Sequence, residues 1–398
     1  MRATCFLGAG ATIDIGGVST KYITKKVQEV EQKHMRESIP YIRDVSEILQ
    51  THYGLEEINF EDIFHALEQI SSYKYILGGS AVKNYKPALG AFVVAKYPEL
   101  FQKEIYLNIA QYDLIKTVAN IVNDYDSIYL ANESNSWHTE FWQKLEAKSK
   151  LDIATLNYDT CIEQIIKNYN DGFENTSYNF KCFNPQGLLD KSKSIIMHLH
   201  GSIHFGYART KNINEYTLTD NHEDLYRYNN YEDARMSWGG RSTNTNQAGE
   251  KAEIGAIITG LHKTDKIQAM PYSFYNAEFV NSLIRNNALL IIGYSFGDIH
   301  FNRLLEKIAK IHGEKRKVVF IDYVDKKKWW GNPVDNDLIS HEMFVNIAMA
   351  FQEHDPFRNY TRFKNPIESK DGRAKLYLSG FKDTVLNYGD EIIDFLTS

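Results

Sequence analysis

The chemistry of this chain begins with short polar clusters that follow apolar runs. Phe6-Leu7-Gly8-Ala9-Gly10-Ala11-Thr12 is an apolar run entering a glycine turn. Two glycines let backbone N–H groups come close to a diphosphate, and a following helical turn adds its dipole. The full G-x-G-x-x-G pattern is broken, because Ile13 stands where the third glycine belongs. Three further clusters match it: Thr155-Leu156-Asn157-Tyr158-Asp159, Leu199-His200-Gly201-Ser202, and Gly293-Tyr294-Ser295-Phe296-Gly297-Asp298. Taken together rather than singly, these polar and glycine-rich clusters point to a nucleotide site.

Each cluster also has a plain structural reading. Asn157, Asp159 and Asp298 are favoured helix caps, and a lone His-Gly is often only a turn. His198 and His200 lie two apart on one expected strand, hence on one face, with His204 near. Without an adjacent carboxylate or thiolate cluster they are not expected to hold a metal.

What raises these residues above the structural reading is the set of elements that would position them. Strands are expected at Ala3–Leu7, Asp152–Asn157, Ser194–His200, Glu253–Thr259, Ala288–Tyr294 and Lys317–Tyr323. Helical spacing marks Thr160–Asn168, Tyr275–Arg285 and Asp298–Ile311 between them. Alternating strands and helices imply right-handed crossovers and a mostly parallel, Rossmann-like α/β sheet with helices on both faces. In such sheets ligands bind outside the carboxyl ends of the strands, and all four clusters sit there. The stretch between the first two strands reads as helical, with segments at Thr20–Lys33, Phe60–Ser71, Ile105–Val122 and Trp137–Ala147. The expected organisation is therefore a nucleotide-binding domain of residues 1–20 and 150–398, a mainly helical insertion of residues 21–149, and an irregular lid or interface segment at 205–251.

Composition narrows the class. The 398 residues are 43% hydrophobic and 24% charged, with a net charge of -6 and a sequence pI near 6.1. No global basic field favours nucleic acid. Cys5, Cys161 and Cys182 form no C-x-x-C pair, which argues against a disulfide framework or a thiolate zinc module. With no leader-like start and no apolar run near the ~20 residues that span a bilayer, a cytoplasmic protein without membrane contact is expected.

Taken in order, the motifs resemble those of the SIR2 family. Gly8-Ala9-Gly10-Ala11-Thr12 is similar to its Gly-Ala-Gly-x-Ser turn, Thr155 to Asp159 to its Thr-x-Asn-x-Asp motif, Leu199-His200-Gly201 to its Leu-His-Gly motif, and Gly293-Tyr294-Ser295 to its Gly-x-Ser segment. Two departures set the chain apart from the deacylases: no cysteine follows Cys182, and Asp14-Ile15-Gly16-Gly17-Val18 replaces their Pro-Asp-Phe-Arg run. The late Gly293 to Asp298 motif, Asn59-Phe60-Glu61-Asp62, and Ile257 to Leu261 with Lys263 and Pro271-Tyr272 resemble the bacterial anti-phage effector branch instead.

That resemblance implies hydrolysis of NAD to nicotinamide and ADP-ribose, without zinc, as the effector of a defence system that depletes NAD. It implies Asn157 and His200 as catalytic residues. It implies NAD contacts from Gly8, Ala9, Gly10, Ala11, Thr12, Thr155, Asp159, Gly293, Tyr294, Ser295 and Asp298, with Ser295 and Asp298 on the adenosine side. It further implies a homo-oligomer working with a HerA-type DNA translocase, a short Argonaute or another phage sensor. A protein deacylase and a non-catalytic module sensing NAD or ADP-ribose are the alternatives.

Overall fold

The computed structural model describes residues 2–34, 37–39, 41–53, 58–77, 104–207, 209–210, 217–218, 225–238, 255–260, 263–325, 328, 338–357 and 366–398. Its centre is an eight-stranded sheet. The strands are β1 (Arg2–Leu7), β2 (Lys150–Thr155), β3 (Tyr169–Asn170), β4 (Ser194–His198), β5 (Ala288–Ile292), β6 (Lys317–Ile321), β7 (Ile367–Glu368) and β8 (Ala374–Tyr377). Their spatial order is β7-β8-β6-β5-β1-β2-β4-β3, and every pairing is parallel except β7 with β8. Two three-strand halves, β1-β2-β4 and β5-β6-β8, run outward from the centre. The strand order reverses between β1 and β5, which makes that junction the topological switch point of a Rossmann-like sheet.

The apolar runs make this sheet because both of its faces are covered. Phe6, Met197, Ile291 and Phe320 face one core, while Cys5, Leu7, Ile292 and Ile321 face the other. Strands buried on both faces read as continuous hydrophobic runs, and that is how β5 and β6 are recognised. On the first face lie Phe279 of the helix Tyr272–Arg285 and Phe301 of the helix Ile299–Leu305. On the second lie Trp142 and Leu145 of the helix Ser136–Lys148, with Ile392, Ile393 and Leu396 of the helix Phe381–Thr397.

The helices from Thr20 to Asp126 have a core of their own. Val27, Ile42, Ile63, Leu67, Leu107, Leu114 and Val118 pack together, joining helices Thr20–Gln28, Tyr41–Tyr53, Phe60–Leu77 and Glu104–Asp126. The Ser136–Lys148 helix instead shares the sheet's core. No helix among the described residues is long and apolar enough to cross a membrane.

Several elements depart from the sequence expectation. The helix expected over Thr20–Lys33 stops at Gln28, and Gln32–His34 pairs antiparallel with Glu37–Ile39. The helix expected over Asp298–Ile311 breaks into Ile299–Leu305 and Ile308–His312. Thr160–Asn168 shortens to Cys161–Ile165. The strand expected at Glu253–Thr259 is not formed by its described part, which makes one antiparallel bridge from Ile257 to Gly201. Within 205–251, Phe205–Gly206 and Tyr226–Tyr228 join a small antiparallel sheet and Tyr231–Ser237 is a helix, while 211–216, 219–224 and 239–251 lie outside the described residues.

Candidate active site

Strands β2 and β4 end at Thr155 and His198, so Asn157 and His200 stand in the loops just beyond them. Both loops open into a cleft of about 410 Å³ at the switch point. Gly8, Ala9, Thr12, Tyr294, Ser295 and Asp298 also line it. The opposite wall comes from the insertion, through residues such as Ile23, Glu61 and Tyr125.

Asn157 is held from two sides. Its N–H donates to Thr155 Oγ1 at 3.0 Å and its Nδ2 donates to the Gly8 carbonyl at 3.0 Å. Oδ1 is left without a partner among the described residues. The amide is thus tied to the glycine turn of β1 and has an acceptor to spare.

His200 is fixed through its backbone, whose carbonyl accepts from Ile258 N at 2.8 Å. Its side chain is buried, and Nε2 has no hydrogen-bond partner among the described residues. An unpaired buried polar atom carries a desolvation cost, so its presence calls for an explanation. Burial, reinforced by the nearby Lys263 charge, pushes the imidazole down to about 3. His200 is therefore neutral at physiological pH, with an acceptor nitrogen.

Beside it lies an ion cluster that spans the cleft. Lys263 Nζ lies 3.0 Å from Glu61 Oε1 and 3.2 Å from Asp298 Oδ1. Burial opposes the lysine's charge, but the two carboxylates raise its pKa above the usual value. Asp298 occupies the N-cap position of the Ile299–Leu305 helix without making a side-chain cap bond, so the simple capping reading does not account for it. Glu61 is placed by a capping box: Asn59 Oδ1 accepts from Asp62 N at 3.1 Å while Asp62 Oδ2 accepts from Asn59 N at 2.9 Å.

The glycine turn differs from expectation in what its glycines do. Gly8 N donates to Ile292 O and Gly10 N to Gly293 O, both at 2.9 Å, so neither N–H is open to a phosphate. The glycines let two backbones touch. A Cβ on Gly8 would lie 2.5 Å from Gly293 O, and one on Gly293 would lie 2.3 Å from Ala11 N. Ala9, which is exposed, keeps an N–H with no partner among the described residues.

The loop after β5 is rigidly built. Tyr294 OH donates to Asn302 Oδ1 at 2.8 Å, and Asn302 Nδ2 donates to Phe296 O at 2.8 Å. Phe296 takes a φ of 60°, an uncommon left-handed conformation for a bulky residue. The Tyr294 phenol is committed to this scaffold, while the Ser295 side chain is exposed to the cleft.

Other named residues lie elsewhere. Gly10 and Gly293 line a second cleft, also about 410 Å³, on the far side of the turn, with Asp322, Ser379 and Gly380. Ala11, Thr155 and Asp159 line a narrow inner crevice instead. Asp159 Oδ1 caps Cys161 N at 3.2 Å and Oδ2 accepts from Tyr125 OH at 3.0 Å, anchoring the end of the long insertion helix. The N-cap of that helix is Thr160, without a side-chain cap bond, so Asp159 meets the helix start from one residue outside the expected capping position. Asp298, assigned by resemblance to the adenosine side, shares its cleft with His200.

His198 and His200 do not share a face as expected, because the strand ends at His198 and the chain turns. His198 Nε2 lies 2.6 Å from Glu163 Oε1, and Arg227 bridges Glu163 and Asp171. Among the described residues the group able to gather metal-ligating atoms is Asp126, Asp159 and Cys161, with no histidine in it. Sequence reading assigned no site role to Lys263, Glu61, Asp322 or Ser379. The signal for Glu61 was the capping pattern beginning at Asn59.

A doubly wound sheet with polar loops gathered at its switch point defines a Rossmann-like α/β architecture, a class in which ligands bind at the carboxyl ends of the strands. Residues 152–333 match the family described as the SIR2-like domain, a span that holds Asn157, His200 and the Gly293 to Asp298 loop. A solved structure titled "Structural Basis for the Mechanism and Regulation of Sir2 Enzymes" is similar over 87% of this chain and 90% of that chain, at 11% identity and a TM-score of 0.31, a likeness too slight to carry an argument. No curated protein matches the chain.

Proposed function

We propose that this chain hydrolyses NAD, breaking the bond between nicotinamide and ribose to give ADP-ribose. The observation that carries the reading is His200: a buried, neutral imidazole with an unpartnered nitrogen in a cleft at the switch point of a Rossmann-like sheet. The two clefts on either side of the Gly10 and Gly293 contact suit the two halves of a dinucleotide.

The chemistry needs little. Nicotinamide leaves with the bonding electron pair as a neutral molecule, and the ribose carbon becomes oxocarbenium-like. Water attacks that carbon, His200 accepts the hydrogen bond from the attacking water, and the released proton passes on to solvent. Asn157, pinned to Gly8, offers Oδ1 to orient the ribose or the water. Ala9 N–H and the Ser295 hydroxyl are the donors available to the phosphates.

The ordered motifs and the family match across the catalytic segment support placing the chain among NAD-consuming effectors. On this reading it serves bacterial anti-phage defence in the cytoplasm by depleting NAD. It works as a homo-oligomer with a HerA-type DNA translocase, or otherwise a short Argonaute or another phage sensor, and requires no zinc.

The test is nicotinamide release from NAD by purified protein, with and without an acylated peptide and with and without co-purifying partners. Release of free ADP-ribose without peptide is expected. Release only with peptide would mean a deacylase, and saturable NAD binding without any turnover would mean a sensing module.

A further inference from the structure

Resting on the reading of this cleft as an NAD site, we propose that Glu61 of the insertion and Asp298 of the sheet domain, bridged by Lys263, form a cation subsite that selects the positively charged nicotinamide ring over its reduced, uncharged form.

The argument is one of charge and placement. Among the described residues lining the cleft, the acidic and basic side chains are Glu61, Asp298, Lys263 and the neutral His200. Burial raises the Glu61 carboxyl and the adjacent Lys263 opposes that rise; with both carboxylates ionised, one negative charge remains. Lys263 Nζ takes one oxygen of each carboxylate, at 3.0 Å and 3.2 Å. The second oxygen of each has no partner among the described residues. A net anionic wall repels phosphate, so this end of the cleft suits the part of the dinucleotide that carries positive charge.

A second, independent observation points to a ligand here. His200 Nε2 is buried, unpartnered and on the same cleft wall, so the atom awaiting a partner stands beside the anionic pair. The subsite is assembled from distant parts of the chain. Glu61 begins the Phe60–Leu77 helix, Lys263 begins the Lys263–Lys266 helix, and Asp298 precedes the Ile299–Leu305 helix. Lys266 pairs with Glu68 one rung further along, which fixes Glu61 against the sheet domain. The insertion therefore supplies a charge to the reacting end of the cleft. The same charge stays matched as the reaction proceeds, since the single positive charge passes from the ring to the adjoining oxocarbenium-like ribose.

The experiment is equilibrium binding of NAD and NADH to the full-length His200→Ala protein, which cannot turn over during the titration. NAD is expected to bind about tenfold more tightly than NADH, the effect of one partly screened charge a few ångströms away. Adding Glu61→Gln, which preserves shape and a Lys263 contact, should weaken NAD to the level of NADH and leave NADH unchanged. Asp298→Asn should act in the same direction and stands in if the first variant unfolds. Equal affinity for the two nucleotides in the His200→Ala protein would overturn the subsite and leave the cleft assignment intact, as would equal weakening of both by Glu61→Gln. If neither nucleotide binds, the NAD reading of the cleft fails as well.

Discussion

His198 and His200 are two residues apart and equally buried, yet their surroundings push their pKa values in opposite directions. Burial alone would keep both neutral. Next to His198, the Glu163 carboxylate outweighs burial and raises the imidazole above its ordinary value, while burial's upward pull on Glu163 is overcome by His198 and Arg227, which bring it down to about 2. Next to His200 no carboxylate among the described residues accepts from the ring, and burial with Lys263 drives it down to about 3. One histidine is a strut held against a carboxylate in a closed network. The other is a neutral group with an open valence. Burial therefore does not distinguish a structural histidine from a reactive one; the presence of a partner does.

The comparison breaks most sharply in activity. His200→Ala removes the acceptor from the cleft, and loss of a group acting as a base typically lowers rate by about 10² to 10⁴. Nicotinamide release should fall by that range while the unfolding midpoint stays close to that of the unaltered protein. Asn157→Ala should behave alike, since Asn157 also stands in a loop at the cleft. Near-normal release from both variants would remove this cleft from the reaction.

His198→Ala should show the reverse pattern. It leaves Glu163 buried, with Arg227 at 3.5 Å as its remaining cationic partner among the described residues. Breaking a buried pair by removing one partner costs about 3 to 5 kcal/mol, to be read from denaturant unfolding. Whatever activity this variant loses should track its folded fraction, apart from a smaller direct effect through Asn157, whose carbonyl lies 3.4 Å from His198 Nδ1. A stable His198→Ala protein with no turnover would exchange the two roles.

The sequence shows why this distinction was only partly legible. The sheet could be read because β5 and β6 are buried on both faces and appear as unbroken apolar runs. The clustering of Asn157, His200 and the Gly293 loop followed from their shared place at strand ends. The directions of the side chains did not follow, because the alternation of a strand applies only while the strand lasts, and β4 stops at His198. Gly8 and Gly10 suggested phosphate donors, but whether an N–H is spent on a neighbouring strand depends on Ile292 and Gly293, remote in sequence. Glu61 and Lys263 were named within motifs but given no site role for the same reason: their meaning depends on each other and on Asp298, and no local pattern joins the three. Strands β7 and β8 were passed over because two and four residues carry too little alternation to register.

The smallest expected effects lie in pH dependence, where the two histidines again part. An ordinary active-site histidine near 6.5 imposes an acid limb on turnover. With His200 near 3, its acceptor form persists throughout the neutral range, so turnover should stay flat from about pH 8 to about pH 5 as far as this group is concerned. Stability moves instead. Below about 6.5 the unfolded chain takes up a proton that folded His200 refuses, so this site contributes stability that is lost as pH falls toward 3, at about 1.4 kcal/mol per pH unit. His198 has the opposite sign, because its folded pKa is raised: its contribution is complete below the unfolded value and is lost as pH rises through the folded one. Unfolding free energies measured from pH 4 to pH 9 should therefore show His200→Gln flattening the acid side of the profile, while His198→Gln lowers stability most on that same side. A His200→Gln profile parallel to that of the unaltered protein would mean that His200 takes up its proton in the folded state, and the contrast between the two histidines would be lost.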